Sequence, residues 1–166
     1  MPPPTRVLFV AKLKQNQALS PIIQAQADSL TKENMDISTF AIEGGSLLSY
    51  FSAVTALRKQ LAGGDYRVVH AHYGLSALTA WLANKHTKLV ISFMGDDLLG
   101  MNTPSGNYSF LGKVIVTLSR FLSLKADACI VKSFEMAKHL PNKTNYQVIP
   151  NGVNFDIFYK IINRYK

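Results

Sequence analysis

Cysteine is nearly absent from this 166-residue chain, and its one residue, Cys129, excludes an intramolecular disulfide. Acid is scarce as well. Ten Asp and Glu stand against 18 Lys and Arg, a formal charge of +8. Charged residues make up 17% of the chain, below the ~25% of an average soluble domain. No long apolar run is present. Residues 7–11 form a five-residue apolar stretch that stops at Lys12, too short for a signal peptide. The longest segment without Lys, Arg, Asp or Glu, 68–84, holds His70, His72, Ser76 and Asn84, which argues against a membrane span. A cytoplasmic, soluble protein is expected. Glycine signatures are missing too. No G-x-G-x-x-G follows the first apolar run, and neither G-x-x-x-x-G-K-[ST] nor G-x-S-x-G occurs. Nicotinamide, nucleoside-triphosphate and hydrolase-elbow chemistries are thereby left without support.

What is present is a core. Hydrophobic residues make up 48% of the sequence, and the length favours one domain. A chain of this size should bury roughly 70% of its unfolded surface. Short runs rich in branched and aromatic residues recur at 6–11, 36–42, 66–71, 88–93, 127–131 and 146–149, and each reads as a strand. Between them lie helical patterns. Ser20-Pro21 opens the first, Ser as N-cap and Pro at the first helical position. Leu47, Tyr50, Phe51, Val54, Leu57 and Leu61 give the second an apolar stripe that ends at Gly63-Gly64. Further helices are expected over 74–84, 108–125 and from Ser133 to Leu140, with a loop over 95–107. Strict alternation of strand and helix means a doubly wound parallel α/β sheet with helices on both faces, Rossmann-like. Ligands bind such sheets at the carboxyl ends of the strands. The loops 12–19, 72–76, 94–107 and 132–133 are therefore the places to look.

Several residues there carry chemistry. His70 and His72 are two apart on a strand and share a side. They are either a metal pair lacking a spaced third ligand, or buried imidazoles of which His72, at the strand end, meets a ligand. Tyr73-Gly74-Leu75-Ser76 follows directly, and the helix starting there either offers its N–H groups to an anion or is simply capped. Asp96-Asp97 after Gly95 suits a cation, acid–base work or capping, and capping by one of the two is favoured. The helix 108–125 has more apolar residues than one core face needs, with Lys113, Arg120 and Lys125 along it. It reads as a membrane-surface or domain interface, or as a helix buried between the sheet and a neighbour.

Taken together, these motifs resemble the GT-B glycosyltransferases of family 4. Val68-Val69-His70-Ala71-His72-Tyr73-Gly74-Leu75-Ser76 is similar to their third-strand motif, and Ser92-Phe93-Met94-Gly95-Asp96-Asp97 to their fourth. Ala126-Asp127-Ala128 with Lys132-Ser133 resembles the fifth strand and its capped helix. The stretch 148–154, then Phe158, resembles the passage into a second domain, with Pro150, Asn151 and Gly152 as the hinge. The resemblance implies a retaining sugar transferase made of two Rossmann-like domains. Residues 1–153 would be the acceptor-binding N-terminal domain and 154–166 the start of the interdomain linker. The nucleotide-sugar donor, with the Glu-x7-Glu motif, would belong to a C-terminal domain that this sequence does not contain. Such a half is expected to be inactive alone, with no cofactor of its own and no separate metal.

His72, Tyr73, Gly74, Gly95, Asp96 and Asp97 are the implied acceptor-binding residues, with Asp96 and Asp97 also the candidate catalytic ones. Asn16 and Ser20 fall in the implied donor-side loop, where relatives often have Gly-Gly. Met94 stands where many relatives have histidine, and a thioether cannot take a proton there. The expected partners are a glycan or lipid-linked acceptor and an anionic membrane surface, which would make the protein peripheral to the membrane. Nucleic acid is not expected, because no aromatic-interleaved basic strand or recognition helix accompanies the charge. The rival reading is a non-catalytic flavodoxin-like or receiver-like binding module. It is weakened by Lys12 and Lys14 where a receiver places acids.

Overall fold

The computed structural model describes residues 3–13, 18–44, 46–100 and 109–152. Six strands form one all-parallel sheet: β1 (Thr5–Lys12), β2 (Met35–Ile42), β3 (Val68–His72), β4 (Lys88–Ser92), β5 (Ala128–Val131) and β6 (Tyr146–Val148). Their spatial order is β2-β1-β3-β4-β5-β6. The chain therefore runs outward once, from β1 to β2, and reverses at β1/β3. Such a reversal opens a crevice at the carboxyl ends of the strands.

The helices are α1 (Pro21–Lys32), α2 (Leu47–Gly63), α3 (Gly74–Ala83), α4 (Asp96–Leu99), α5 (Phe110–Ser123) and α6 (Phe134–Ala137). Pro21 starts α1 as expected, with Ser20 at the N-cap position, although its side chain makes no capping bond. Ser133 does cap α6, accepting from the Met136 N–H at 3.2 Å. Two expectations are corrected. The loop after β4 contains the four-residue α4, because Asp96, Asp97, Leu98 and Leu99 close i→i+4 turns behind Gly95. The helix expected to reach Leu140 stops at Ala137 and continues in tighter i→i+3 turns, His139 N–H to Met136 and Leu140 N–H to Ala137. Tyr108 and the expected linker 154–166 lie outside the described residues.

Helices lie on both faces, but unequally. Leu8, Val10, Val69, Ala71, Ile91, Cys129 and Val131 pack into one large core with buried residues of α2, α3, α4, α5 and α6. The opposite face has a small core in which Val7, Phe9 and Ala11 meet Ile23 and Ala27 of α1. Among the described residues, α1 is the helix of that sparse face.

Candidate functional site

A cavity of about 450 Å3 opens at the carboxyl ends of β1, β3 and β4, beside the sheet reversal. Lys12 ends β1, Ser20 and Ser46 stand at the N-caps of α1 and α2, and His72 ends β3. Tyr73 and Met94 come from the turns that follow β3 and β4. Tyr50, Leu75, Leu111 and Ile115 supply apolar walls from α2, α3 and α5. No carboxylate lines this cavity among the described residues.

His72 is 2% exposed, and neither of its ring nitrogens has a protein partner. Its ring stacks on His70 at 4.3 Å between centroids and tilts against Phe9 at 4.6 Å. His70 is satisfied by a 2.8 Å hydrogen bond between Nε2 and Ser92 Oγ. Burial, and secondarily the nearby Lys132 ammonium, push His70 down to about 4. Burial, His70 and Lys132 hold His72 well below its ordinary value. Both rings are therefore neutral at physiological pH, and His72 keeps one N–H donor and one lone pair without a protein partner. An orphaned buried imidazole costs roughly 1–3 kcal/mol per unmet group unless water or a ligand meets it.

Tyr73 sits on an unusual backbone. Its φ of 81° and ψ of 145° fall in a region adopted almost only by glycine. Two bonds hold it there: its N–H donates to the Ser92 carbonyl at 3.0 Å, and its own carbonyl accepts from Ala77 at 3.0 Å. Burial first, then the charges of Asp97, Tyr50 and Asp96, raise its phenol to about 12. Tyr73 thus stays a neutral hydroxyl.

The acidic pair splits into two roles. Asp97 is fully buried. It accepts N–H bonds from Met94 at 3.0 Å, Gly95 at 3.0 Å and, across the strand end, Gly74 at 3.1 Å. Burial raises its carboxyl above the ordinary value, against the pull of these N–H groups toward the ionised form. The carboxylate therefore ties the β4 turn to the start of α3, and it is not available as a free base. Asp96 is exposed in the first turn of α4, with its charge felt at Tyr73. Gly74 also lies behind the cavity wall. A Cβ there would run into Ser119 Oγ of α5, and its N–H is already given to Asp97. Gly95 needs its positive φ of 135° to turn the chain.

The other expected positions separate. Ser20 reaches the cavity, and Asn16 lies outside the described residues. Pro150, Asn151 and Gly152 instead line a second cavity, about 470 Å3, on the sparse face with Ile22, Gln26, His70 and Lys132. Among the described residues, no three His, Cys, Asp or Glu side chains gather as metal ligands. Sequence reasoning passed over Ser46 and Tyr50. The break after β2 at Gly44 and the serine before an amphipathic helix were the available signal, since that loop too ends a strand.

Two solved structures share this architecture. Both are of sucrose-phosphate synthase from Thermosynechococcus elongatus, at 12% identity. One aligns with a TM-score of 0.64 over 98% of this chain and 96% of its own. The other aligns at 0.69 over 93% of this chain and 49% of its own, so the present chain spans about half the length of that protein. No curated protein sequence matches the chain. The six-stranded parallel sheet, with its crevice at the strand ends, is a Rossmann-like α/β fold shared with these structures. The profile of Glycosyltransferase Family 4 matches residues 33–157, and the chain belongs to that family.

Proposed function

We propose that this domain is the acceptor-binding half of a retaining, hexosyl-type glycosyltransferase. The whole enzyme would transfer a sugar from a nucleotide-sugar donor to a glycan or lipid-linked acceptor of the cell surface. One observation carries the reading: the buried, neutral and unpartnered imidazole of His72 faces a carboxylate-free cavity at the strand ends. Sugar hydroxyls both donate and accept, so they suit a neutral imidazole, the Tyr73 phenol, and the Ser20 and Ser46 hydroxyls. Lys12, with Nζ 5.9 Å from the Tyr50 ring centroid, adds a cation for an acidic sugar or a phosphate. Asp96 is the carboxylate left exposed beside Tyr73, and Gly95 gives the transferred sugar an open backbone turn. Asp97 and Gly74 act as positioning residues. Donor binding, and with it turnover, would need the second domain, so the half would be inactive by itself and need no cofactor.

The test is a titration of this chain with acidic cell-surface oligosaccharides, followed by chemical-shift changes. Shifts should appear at Lys12, Ser46, His72 and Tyr73, and His72→Phe should weaken binding about tenfold, the loss of one or two good hydrogen bonds. A nucleotide sugar that bound this cavity more tightly than any glycan would reverse the assignment from acceptor to donor.

A further inference from the structure

The cavity on the sparse face is separate from the acceptor site proposed above. Strand alternation builds its floor. Cys129 and Val131 of β5 join the large core, so Ile130 and Lys132 fall on the opposite side. On β3 the same alternation sends His70 there, beside its register partner Val90 on β4. Leu30 of α1 and Asn151, just past β6, also line this space of about 470 Å3. No carboxylate lines it among the described residues. Its polar groups are short of partners. Lys132 is half-buried and enters no ion pair or hydrogen bond among the described residues. Burial lowers its ammonium, and the charge of Asp97 opposes this only secondarily. The bond to Ser92 uses Nε2 of His70 and leaves Nδ1 without a partner among the described residues. A half-buried ammonium without a counter-charge is unfavourable, and an anion beside it relieves the cost.

We propose that this cavity is a binding site for a small organic anion, a carboxylate or phosphate group carried on an apolar body. The head is held by Lys132 Nζ, His70 Nδ1 and the side-chain amide of Asn151. The body lies against Leu30, Val90 and Ile130. Few polar groups converging over apolar walls, in a space of this size, are the usual make-up of a small-molecule site. The charge names the ligand's sign, since the cation of the cavity stands without a carboxylate. His70 takes part as a neutral ring. Ser92 donates to its Nε2, so that Nδ1 carries the proton that meets the anion. The inference does not rest on the function proposed above, because it needs neither a sugar acceptor nor a second domain.

The experiment titrates the 166-residue chain with phenyl phosphate and with phenylacetate, followed by nuclear magnetic resonance. Either probe should give saturable shifts at Lys132, Asn151 and the His70 ring. Inorganic phosphate, which lacks the body, and benzyl alcohol, which lacks the charge, should each bind about tenfold more weakly. Lys132→Gln should weaken binding by about tenfold or more, the loss of a charge-assisted hydrogen bond. Gln26 lines the same cavity from α1. Gln26→Trp should therefore block the probes by filling the space, with the melting temperature unchanged, and it decides the matter if Lys132→Gln fails to fold. Nitrogen-15 shifts of the His70 ring should report a proton on Nδ1 in the bound state, a signature that non-specific attraction to surface lysines would not produce.

Probe binding that survives both substitutions would overturn the proposal. So would benzyl alcohol binding as well as phenyl phosphate, since the cavity would then select for apolar surface alone. Shifts centred on Lys12 and Tyr73 would place the anion in the first cavity and reject the second. The absence of saturable shifts with either probe at millimolar concentration would also reject it, and would leave glycan binding at His72 untouched.

Discussion

The two faces of the sheet bury their strands in different ways. On the crowded face, α2, α3 and α5 lie over Leu8, Val10, Val69, Ala71 and Ile91, and the layer beneath them is apolar. On the sparse face, α1 covers Val7, Phe9 and Ala11, and the same sheet carries His70, His72 and Ser92, with Lys132 just past β5. Polar side chains are thus placed where the helix cover is thinnest and a cavity can reach them. The contrast teaches where each face is vulnerable. The crowded face depends on fit and on the buried carboxylate of Asp97 that pins it, and the sparse face depends on keeping its imidazoles neutral.

The largest effect should come from the pin. Asp97→Ala leaves the Met94, Gly95 and Gly74 N–H groups without their acceptor. At about 1–3 kcal/mol for each buried orphan, partly recovered by water, the loss should be on the order of 4 kcal/mol in urea denaturation. Asp97→Asn keeps an acceptor oxygen and should lose less.

Acid should come next, and it acts on the other face. The folded-state His70 is held at about 4 against an ordinary value of 6.5. Its neutral form is the one that fits, so stability is fully present above the ordinary value and falls as pH drops toward the folded one. The shift corresponds to about 3 kcal/mol from His70, with His72 adding in the same direction. The raised carboxyl of Asp97 works in the opposite sense. Stability curves of the wild type and of His70→Asn between pH 7 and about pH 4 should therefore diverge. If the two curves stay parallel, other groups set the acid limit.

The smallest of the three is a single methyl on the crowded face. Gly74→Ala drives a Cβ into Ser119 Oγ where α3 meets α5, and overpacking of this kind costs about 2 kcal/mol. Ser119→Gly should restore most of it in a double-mutant cycle, because the obstructing atom is removed.

Six strands, their order along the chain and the serine cap of α6 were legible because each is a local pattern: a branched run, a punctuating glycine, a serine before a turn. α4 was not, since four residues are too few to show a period. In the candidate site, His72, Tyr73 and Met94 were legible as strand-end residues. Lys12 was legible as the end of the first strand but not as a wall of the site, and Ser46, Tyr50, Leu111 and Ile115 reach the cavity through packing of helices distant in sequence. Asp97 looked like a helix cap from its place after Gly95. It does bond the N–H of Gly95, the N-cap residue of α4, and it also reaches back to Met94 and across to Gly74. That crossing depends on the pairing of β3 with β4, which single-sequence patterns do not reveal.

The backbone at Tyr73 also bears on engineering. A tyrosine in glycine's region of conformational space stores roughly 1–3 kcal/mol of strain. A library of variants screened for heat resistance alone should drift to glycine at this position. One screened for sugar capture should return to tyrosine. With the acceptor role proposed above, the residue is where selection for durability and selection for use would pull apart.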